Sequence, residues 1–180
     1  MAERITSKKF IVQGRPVATA APPASNTRRS ARLDLAFIVL TLIGLGISAY
    51  LAWTHFTYTP IICTADLSCD TVNRSAYAYF PPNWGIPVSY LGLLAYLGLL
   101  GLGVWRWQTA LSTDSGRGST SRLDLTLFVA TLGGLIFSAY LTAMELFVIH
   151  AVCWWCVGSA TVVTLLFGIA AARVWVGNDY

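Results

Sequence analysis

The sequence predicts an all-α integral membrane protein, organised as a four-transmembrane-helix bundle with an external cysteine loop. The 180 residues are 56% hydrophobic and only 11% charged, whereas soluble domains carry about 25% charged residues. Four apolar runs reach the ~20 residues that an α-helix needs to cross a bilayer core. At this length we expect one membrane domain, which we place at residues 32–177.

A polar and basic tail precedes that domain. Residues 1–31 include the stretch "TAAPPASNT" and several Lys and Arg residues. Because the tail has too little apolar surface to form a core, we predict that it is disordered. The basic residues do not form a face interleaved with aromatic groups, so we expect no nucleic-acid partner.

The four apolar runs are the predicted spans. The first is longer than the ~7–15 residues of a signal-peptide core and starts late in the chain, although a cleaved signal peptide is the alternative interpretation. Pro87 lies in the first turn of the second span, where a missing N–H group costs little. The predicted spans cover residues 33–56, 86–107, 123–149 and 156–176.

An internal repeat relates the two halves of the chain. The segment "RLDLAFIVLTLIGLGISAYL" at 32–51 matches "RLDLTLFVATLGGLIFSAYL" at 122–141. The same offset of 90 residues carries Cys63 onto Cys153. We interpret this as two halves that each supply a helix followed by a cysteine at the same membrane face. The alternative is that apolar helices resemble each other by composition.

The distribution of Lys and Arg predicts the orientation. Basic residues concentrate in the tail and in the loop 106–122, whereas the loops 57–85 and 146–155 contain only Arg74. The positive-inside rule therefore predicts that the tail, the 106–122 loop and the C-terminus are cytoplasmic. All four cysteines then lie outside, where disulfides persist.

The cysteines form two close pairs. Cys153 and Cys156 have the i, i+3 spacing that puts two side chains on one helical face, and a helix start favours the thiolate. Cys63 and Cys69 flank a short loop that can bring their Cα atoms within the roughly 4.4–6.8 Å of a disulfide. We interpret the pairs as a thiol–disulfide relay to a lipid-soluble oxidant, with a membrane quinone as the candidate. Structural disulfides, a four-thiolate zinc site and inert cysteines are the alternatives.

These motifs also resemble a known family. The segment "CTADLSCDTVNRSAYAYFPPNWGIPVSYLG" and the later "CWWC" at the head of a helix are similar to bacterial members of the vitamin K epoxide reductase family, over about residues 33–176. The resemblance implies a four-helix bundle around a quinone of the menaquinone or ubiquinone type. We expect no metal site, because the five residues between Cys63 and Cys69 fit the Cys-x₂₋₄-Cys spacing of zinc sites poorly.

The resemblance also implies roles for individual residues. Cys153 and Cys156 would be the active-site pair, with Cys156 nearer the quinone, and Cys63 and Cys69 would be the shuttle pair. Ser75 would donate a hydrogen bond to the quinone head group. Trp154 and Trp155 are bulky for the middle of this motif, and each either packs at the membrane interface, where Trp is enriched, or walls the quinone. We expect the interface for Trp154 and the quinone wall for Trp155.

The implied function is that of a membrane thiol–disulfide oxidoreductase supporting disulfide formation in exported proteins. It would reoxidise a thioredoxin-fold, DsbA-like oxidase outside the bacterial cytoplasmic membrane and pass the electrons to quinone. Because the chain ends at Tyr180, we expect a form without a fused thioredoxin domain and hence a separate partner. Ala160 stands where the vertebrate enzymes have tyrosine, which argues against their mode of vitamin K epoxide binding. A DsbB-type quinone reductase, a small transporter and a non-enzymatic assembly factor with structural disulfides are the rival interpretations.

Overall fold

The structure is a computed structural model that describes residues 24–63, 69–80, 85–111 and 117–178. Most of the predicted disordered tail, residues 1–23, lies outside the described residues. A 3₁₀ turn at Ala76–Ala78 and a π-helical turn at Glu145–Ile149 accompany the α-helices. The α-helices are α1 (Ala24–Thr57), α2 (Cys69–Asn73), α3 (Val88–Leu111), α4 (Arg117–Met144) and α5 (Trp154–Asn178).

The start of α1 corrects the boundary predicted for the tail. The helix begins at Ala24, so residues 24–31 are helical rather than disordered. Extending an existing helix adds one hydrogen bond for each residue fixed, whereas starting a helix is costly. The apolar run nucleates α1, and the polar residues before it extend the helix at little further cost.

The four long helices form an antiparallel ring. The chain alternates in direction from α1 to α3, α4 and α5, and each helix packs against two neighbours, with α1 contacting both α3 and α5, and α4 contacting α5 and α3. All four are long and apolar enough to cross a membrane: Ala31–Thr57, Val88–Leu111, Arg122–Ile149 and Trp154–Trp175. The predicted all-α, four-helix membrane fold is confirmed, and the span limits differ from the predicted ones by a few residues.

Two glycines meet a steric or conformational requirement that other residues do not. A Cβ atom on Gly44 of α1 would overlap the ring of Tyr96 on α3, so this glycine lets the two helices approach closely. Gly85, the first residue of the "GIPVS" segment, has φ of +69°. That left-handed conformation turns the chain just before α3 and is the one that glycine adopts without steric cost.

A buried ion cluster lies at the end of the bundle opposite the cysteines. Arg106 Nη1 donates to Asp34 Oδ1 at 2.5 Å, and Arg173 Nη2 donates to the same oxygen at 2.7 Å. The guanidinium of Arg106 also pairs with Asp124. Asp34 and Asp124 are the aspartates of the two "RLDL" segments, so the repeat supplies two acids to one arginine. These contacts join all four long helices at this end.

Candidate functional site

The loop cysteines are joined in a disulfide. Cys63 follows α1, Cys69 is the first residue of α2, and their Cα atoms are 6.4 Å apart. Cys69 is buried, whereas Cys63 is half-buried. The bond therefore has one sulfur packed into the protein and one nearer the surface.

Two aromatic side chains hold the backbone next to Cys63. The Tyr50 hydroxyl accepts a hydrogen bond from the Ile62 N–H at 3.1 Å, and the Trp155 indole N–H donates to the Ile62 carbonyl at 3.2 Å. The two rings pack on each other with centroids 4.8 Å apart. Because Tyr50 belongs to α1 and Trp155 to α5, this aromatic clamp fixes the loop disulfide against the end of the bundle.

Arg74 fixes the other side of the loop. Its Nε donates to Asp70 Oδ1 at 2.8 Å within α2, and its Nη2 donates to the Tyr58 carbonyl at 3.0 Å. The guanidinium also lies 6.0 Å from the centroid of the Tyr58 ring. Arg74 thus ties α2 to the segment that leaves α1, although an exposed pair of this kind contributes only ~0–1 kcal/mol.

Cys153 occupies the N-cap position of α5 and is fully buried. It packs in one apolar cluster with Cys69, Leu51 and Val72, and Cys63 contacts the same cluster. The pKa of Cys153 lies below its ordinary value, chiefly because the Cys156 thiol donates a hydrogen bond to its sulfur. The backbone N–H groups of Trp155 and Cys156 add to this effect, while burial and the charge of Glu145 oppose it. A thiolate, the nucleophilic form in disulfide exchange, is therefore favoured beside the loop pair.

Cys156 faces a different environment one turn further along α5. Both Cys153 and Cys156 are free thiols, but Cys156 lines an open cavity of about 630 Å³ between the four long helices and the α2 region. The two sulfurs of the pair thus have different surroundings. One meets the loop disulfide, and the other meets the cavity.

The cavity wall is mostly apolar, with a few polar groups. Ser48 and Ser138, which occupy equivalent positions in the two repeats, both line it. On α3, the Tyr96 hydroxyl lies 2.9 Å from Ser159 Oγ of α5. A cavity of ~300–1,000 Å³ with apolar walls and few polar groups is typical of sites that bind a small organic molecule.

Ser75 and Ser89 differ in how their hydroxyl groups are used. Both line the cavity. Ser75 Oγ donates to the Val72 carbonyl at 2.8 Å, which leaves its lone pairs free but not its proton. Ser89 Oγ is buried and has no hydrogen-bond partner among the described residues. Of these two hydroxyls, that of Ser89 is the one whose proton is not committed to a partner among the described residues.

Glu145 is a site residue that the sequence reasoning missed. It begins the π-helical turn that follows α4, is 5% exposed, and lines the cavity together with Cys156. Its Oε2 accepts a hydrogen bond from the Cys153 N–H at 3.3 Å, and the Cys156 thiol is within hydrogen-bonding reach of the carboxylate. The available signal was an acidic residue inside an apolar span, which usually marks function.

The two tryptophans of the "CWWC" segment have separate surroundings. Trp154 is 59% exposed on the outside of the bundle. Trp155, which we predicted to wall the quinone, belongs to the aromatic clamp on Ile62 and is not among the residues that line the cavity. The N-terminal turn of α5 points this indole toward the loop, so the clamp is the role that its contacts support.

The aromatic clamp leads to a first prediction. Trp155→Phe keeps an aromatic ring against Tyr50 but removes the hydrogen bond to the Ile62 carbonyl, which is worth ~0.5–1.5 kcal/mol. We expect the loop disulfide to react several-fold faster with an external thiol, measured as the rate of mixed-disulfide formation with glutathione. Trp154→Phe is the control, because Trp154 is an exposed tryptophan without such a hydrogen bond among the described residues. Equal rates in the two variants would contradict a clamping role.

A comparison with protein families agrees with this arrangement of helices and cysteines. The model of the vitamin K epoxide reductase family matches residues 35–171, which span all four membrane helices and both cysteine pairs. Members of the family are membrane thiol oxidoreductases, and a multi-pass bundle with a cysteine pair beside an apolar cavity suits that chemistry. From this match over most of its length, the chain belongs to the vitamin K epoxide reductase family.

Proposed function

We propose that the protein reoxidises a separate thioredoxin-fold partner and passes the electrons through its two cysteine pairs to a membrane quinone, supporting disulfide formation in exported proteins. The observation that carries this proposal is the placement of the helix pair. Cys153 packs with the loop cysteines, and Cys156 lines the apolar cavity. The pair thus bridges the donor and acceptor sides.

The cavity suits the head group of a quinone of the menaquinone or ubiquinone type. Its volume of about 630 Å³ accommodates a substituted ring, and its walls are apolar apart from groups such as Ser75 and Ser89. A bound quinone supplies an acceptor for two electrons and two protons. The Ser89 hydroxyl is available to donate to a carbonyl oxygen, and the Cys156 sulfur borders the same space.

The order of exchange within the protein follows from the two environments. A partner dithiol first reduces the Cys63–Cys69 disulfide, whose Cys63 side is nearer the surface. A loop thiolate then opens a disulfide between Cys153 and Cys156 through a mixed disulfide. The helix pair is left as the dithiol, with its Cys156 thiol at the cavity wall.

A thioredoxin-fold oxidase is the partner that this chemistry suits. The most oxidising members of that class have potentials near −120 mV, so their reoxidation requires an acceptor of still higher potential. Ile62, which directly precedes Cys63, is 80% exposed and offers an apolar contact beside the disulfide.

We also propose the orientation in a bacterial cytoplasmic membrane. The N- and C-termini lie in the cytoplasm and all four cysteines lie near the outer face, as the Lys and Arg distribution supports. A membrane-impermeant thiol reagent is expected to label reduced Cys63 in intact cells, since this residue is half-buried rather than buried. If the reagent labelled Cys63 only after the membranes were broken, the protein would have the opposite orientation.

Quinol formation tests the proposed function. The purified protein, given a small dithiol and a soluble quinone analogue, is expected to produce quinol at a rate that saturates with quinone concentration. Loss of one hydrogen bond costs ~0.5–1.5 kcal/mol, so Ser89→Ala is expected to raise the half-saturating quinone concentration several-fold. Absence of quinol formation by the unaltered protein would overturn the proposed function.

Ser75→Ala is the matched comparison for Ser89→Ala. The family resemblance predicts that Ser75 donates to the quinone, but its proton is directed to the Val72 carbonyl at 2.8 Å. We therefore expect a smaller rise in the half-saturating concentration for Ser75→Ala than for Ser89→Ala. A larger effect of Ser75→Ala would mean that its hydroxyl turns toward the quinone on binding.

A further inference from the structure

Glu145 combines three features that its neighbours on α4 lack. Its carboxylate side chain is only 5% exposed and borders the cavity. It also contacts both cysteines of the helix pair. An isolated buried carboxylate carries a high desolvation cost. Within the described residues no Lys, Arg or His pairs with it, because all the ion pairs there involve other acids. Charge pairing therefore does not explain its place.

The backbone is shaped around this residue. α4 ends in the π-helical turn Glu145–Ile149, and His150 follows with φ of +53°. The Glu145 carbonyl accepts the His150 N–H and also the Ala151 N–H, the latter at 3.2 Å. This sharp reversal brings the Cys153 N–H over the Glu145 side chain. π-Helical turns occur frequently at functional sites, and here the turn directs a carboxylate at a thiol pair.

We propose that Glu145 is a catalytic acid–base group that accepts the proton of the Cys156 thiol and delivers it into the cavity to the quinone oxygen. This inference rests on the proposed function, because it assigns the proton path of that same reaction. The Cys156 thiol, the carboxylate and the cavity are contiguous, so the proton moves without crossing the apolar bundle.

The proposed step balances. Closing the Cys153–Cys156 disulfide from two thiols breaks two S–H bonds, forms one S–S bond, and releases two electrons and two protons. These convert the quinone to the quinol. Glu145 relays one of the protons: the carboxylate becomes the neutral acid on taking the proton from Cys156 and returns to the carboxylate on giving it up. The group is thus restored after each turnover.

An infrared measurement tests this role without any quinone. In a Cys63→Ser, Cys69→Ser background only the helix pair changes redox state, so the difference spectrum between its dithiol and disulfide forms reports groups coupled to that pair. Without quinone, the proton that Glu145 takes from Cys156 has no acceptor in the cavity, so we expect a carboxylic-acid C=O band of the disulfide form that is absent in Glu145→Gln and displaced in Glu145→Asp. If no carboxylic-acid band appears, or if it persists in Glu145→Gln, the proposal is overturned.

The pH dependence of turnover gives the second readout. Acid–base catalysis contributes about 10²–10⁴-fold, so Glu145→Gln is expected to slow quinol formation by about 10²-fold, with a smaller loss at alkaline pH where solvent removes the thiol proton. Glu145→Asp is expected to recover part of the rate. The other titratable groups facing this site are Cys153, Cys156, Tyr77 and Tyr96, and all remain in each variant.

The outcomes separate this inference from the proposed function. If the unaltered protein forms no quinol, the proposed function fails, while the infrared band still reports whether Glu145 exchanges a proton with the cysteine pair. If the unaltered protein forms quinol, and Glu145→Gln does so at the same rate and with the same pH profile, only the role of Glu145 fails. A rate lost equally in Glu145→Gln and Glu145→Asp at all pH values would indicate a structural role and would also overturn it.

Discussion

Removing either cysteine of the helix pair is expected to abolish quinol formation with every electron donor. Cys156→Ala takes away the sulfur that borders the cavity, and Cys153→Ala takes away the thiol with which Cys156 forms a disulfide. In both variants no dithiol remains beside the cavity, so the last transfer has no two-electron donor. Oxidation of a protein partner is expected to stop as well, since the loop pair cannot then be reoxidised.

Removing a loop cysteine is expected to give a different pattern. Cys63→Ala or Cys69→Ala eliminates the disulfide that a protein partner attacks in the proposed relay, so oxidation of that partner is expected to cease. A small dithiol can still reduce the helix pair directly, because it needs no loop to carry its electrons. Quinol formation from a small dithiol is therefore expected to continue at a reduced rate.

Spectroscopic quinol formation with dithiothreitol and with a thioredoxin-fold protein measures both patterns in the same four variants. Equal residual activity toward dithiothreitol for loop and helix variants would contradict the proposed electron order. If none of the variants changed either activity, the cysteines would serve as structural staples, as in a membrane assembly factor. The packing of Cys153 with the loop cysteines and the position of Cys156 at the cavity support the proposed relay.

The fold was predictable because the bilayer imposes strong constraints on a sequence. Every backbone polar group within the membrane must be bonded internally, so a long apolar run implies a helix. The beginning of α1 was not predictable by that criterion, because residues 24–31 are polar and extend a helix that the apolar run starts. The ion cluster was hidden for a related reason. Sequence spacing relates Asp34 to Asp124, but only the packing of α3 brings Arg106 between them.

In the candidate site, too, some features were predictable from the sequence and others were not. The positions of the cysteines followed from spacing within a short loop and a single helical turn, which are local properties. The contacts of Trp155 depend instead on where the 58–63 segment crosses the N-terminal end of α5. The residues next to Trp155 in the sequence do not determine that crossing. Glu145 depends on the π-helical turn Glu145–Ile149, which apolar periodicity does not reveal. Of these two residues, Trp155 acts across a contact between distant segments, since its partner Ile62 lies 93 residues away.

The largest loss of stability is expected from Asp34→Asn at the opposite end of the bundle. Asp34 is 5% exposed, and one of its carboxylate oxygens receives hydrogen bonds from Arg106 and Arg173. The substitution leaves two buried guanidinium groups with Asp124 as their remaining acid. Breaking a buried ion pair by removing one partner costs about 3–5 kcal/mol, since the other charge stays buried without compensation. We expect the free energy of unfolding in detergent to fall by about that amount.

Asp70→Asn is the matched control for this substitution. Asp70 also pairs with an arginine, Arg74, at 2.8 Å, but their side chains are 49% and 41% exposed. Pairs of this kind contribute only ~0–1 kcal/mol, because water solvates either charge when the other is removed. Denaturant unfolding of both variants, followed by circular dichroism, compares the two environments directly. Similar losses for Asp34→Asn and Asp70→Asn would show that water reaches the Asp34 cluster, whereas a difference of several kcal/mol would identify this cluster as the point where the four membrane helices are joined.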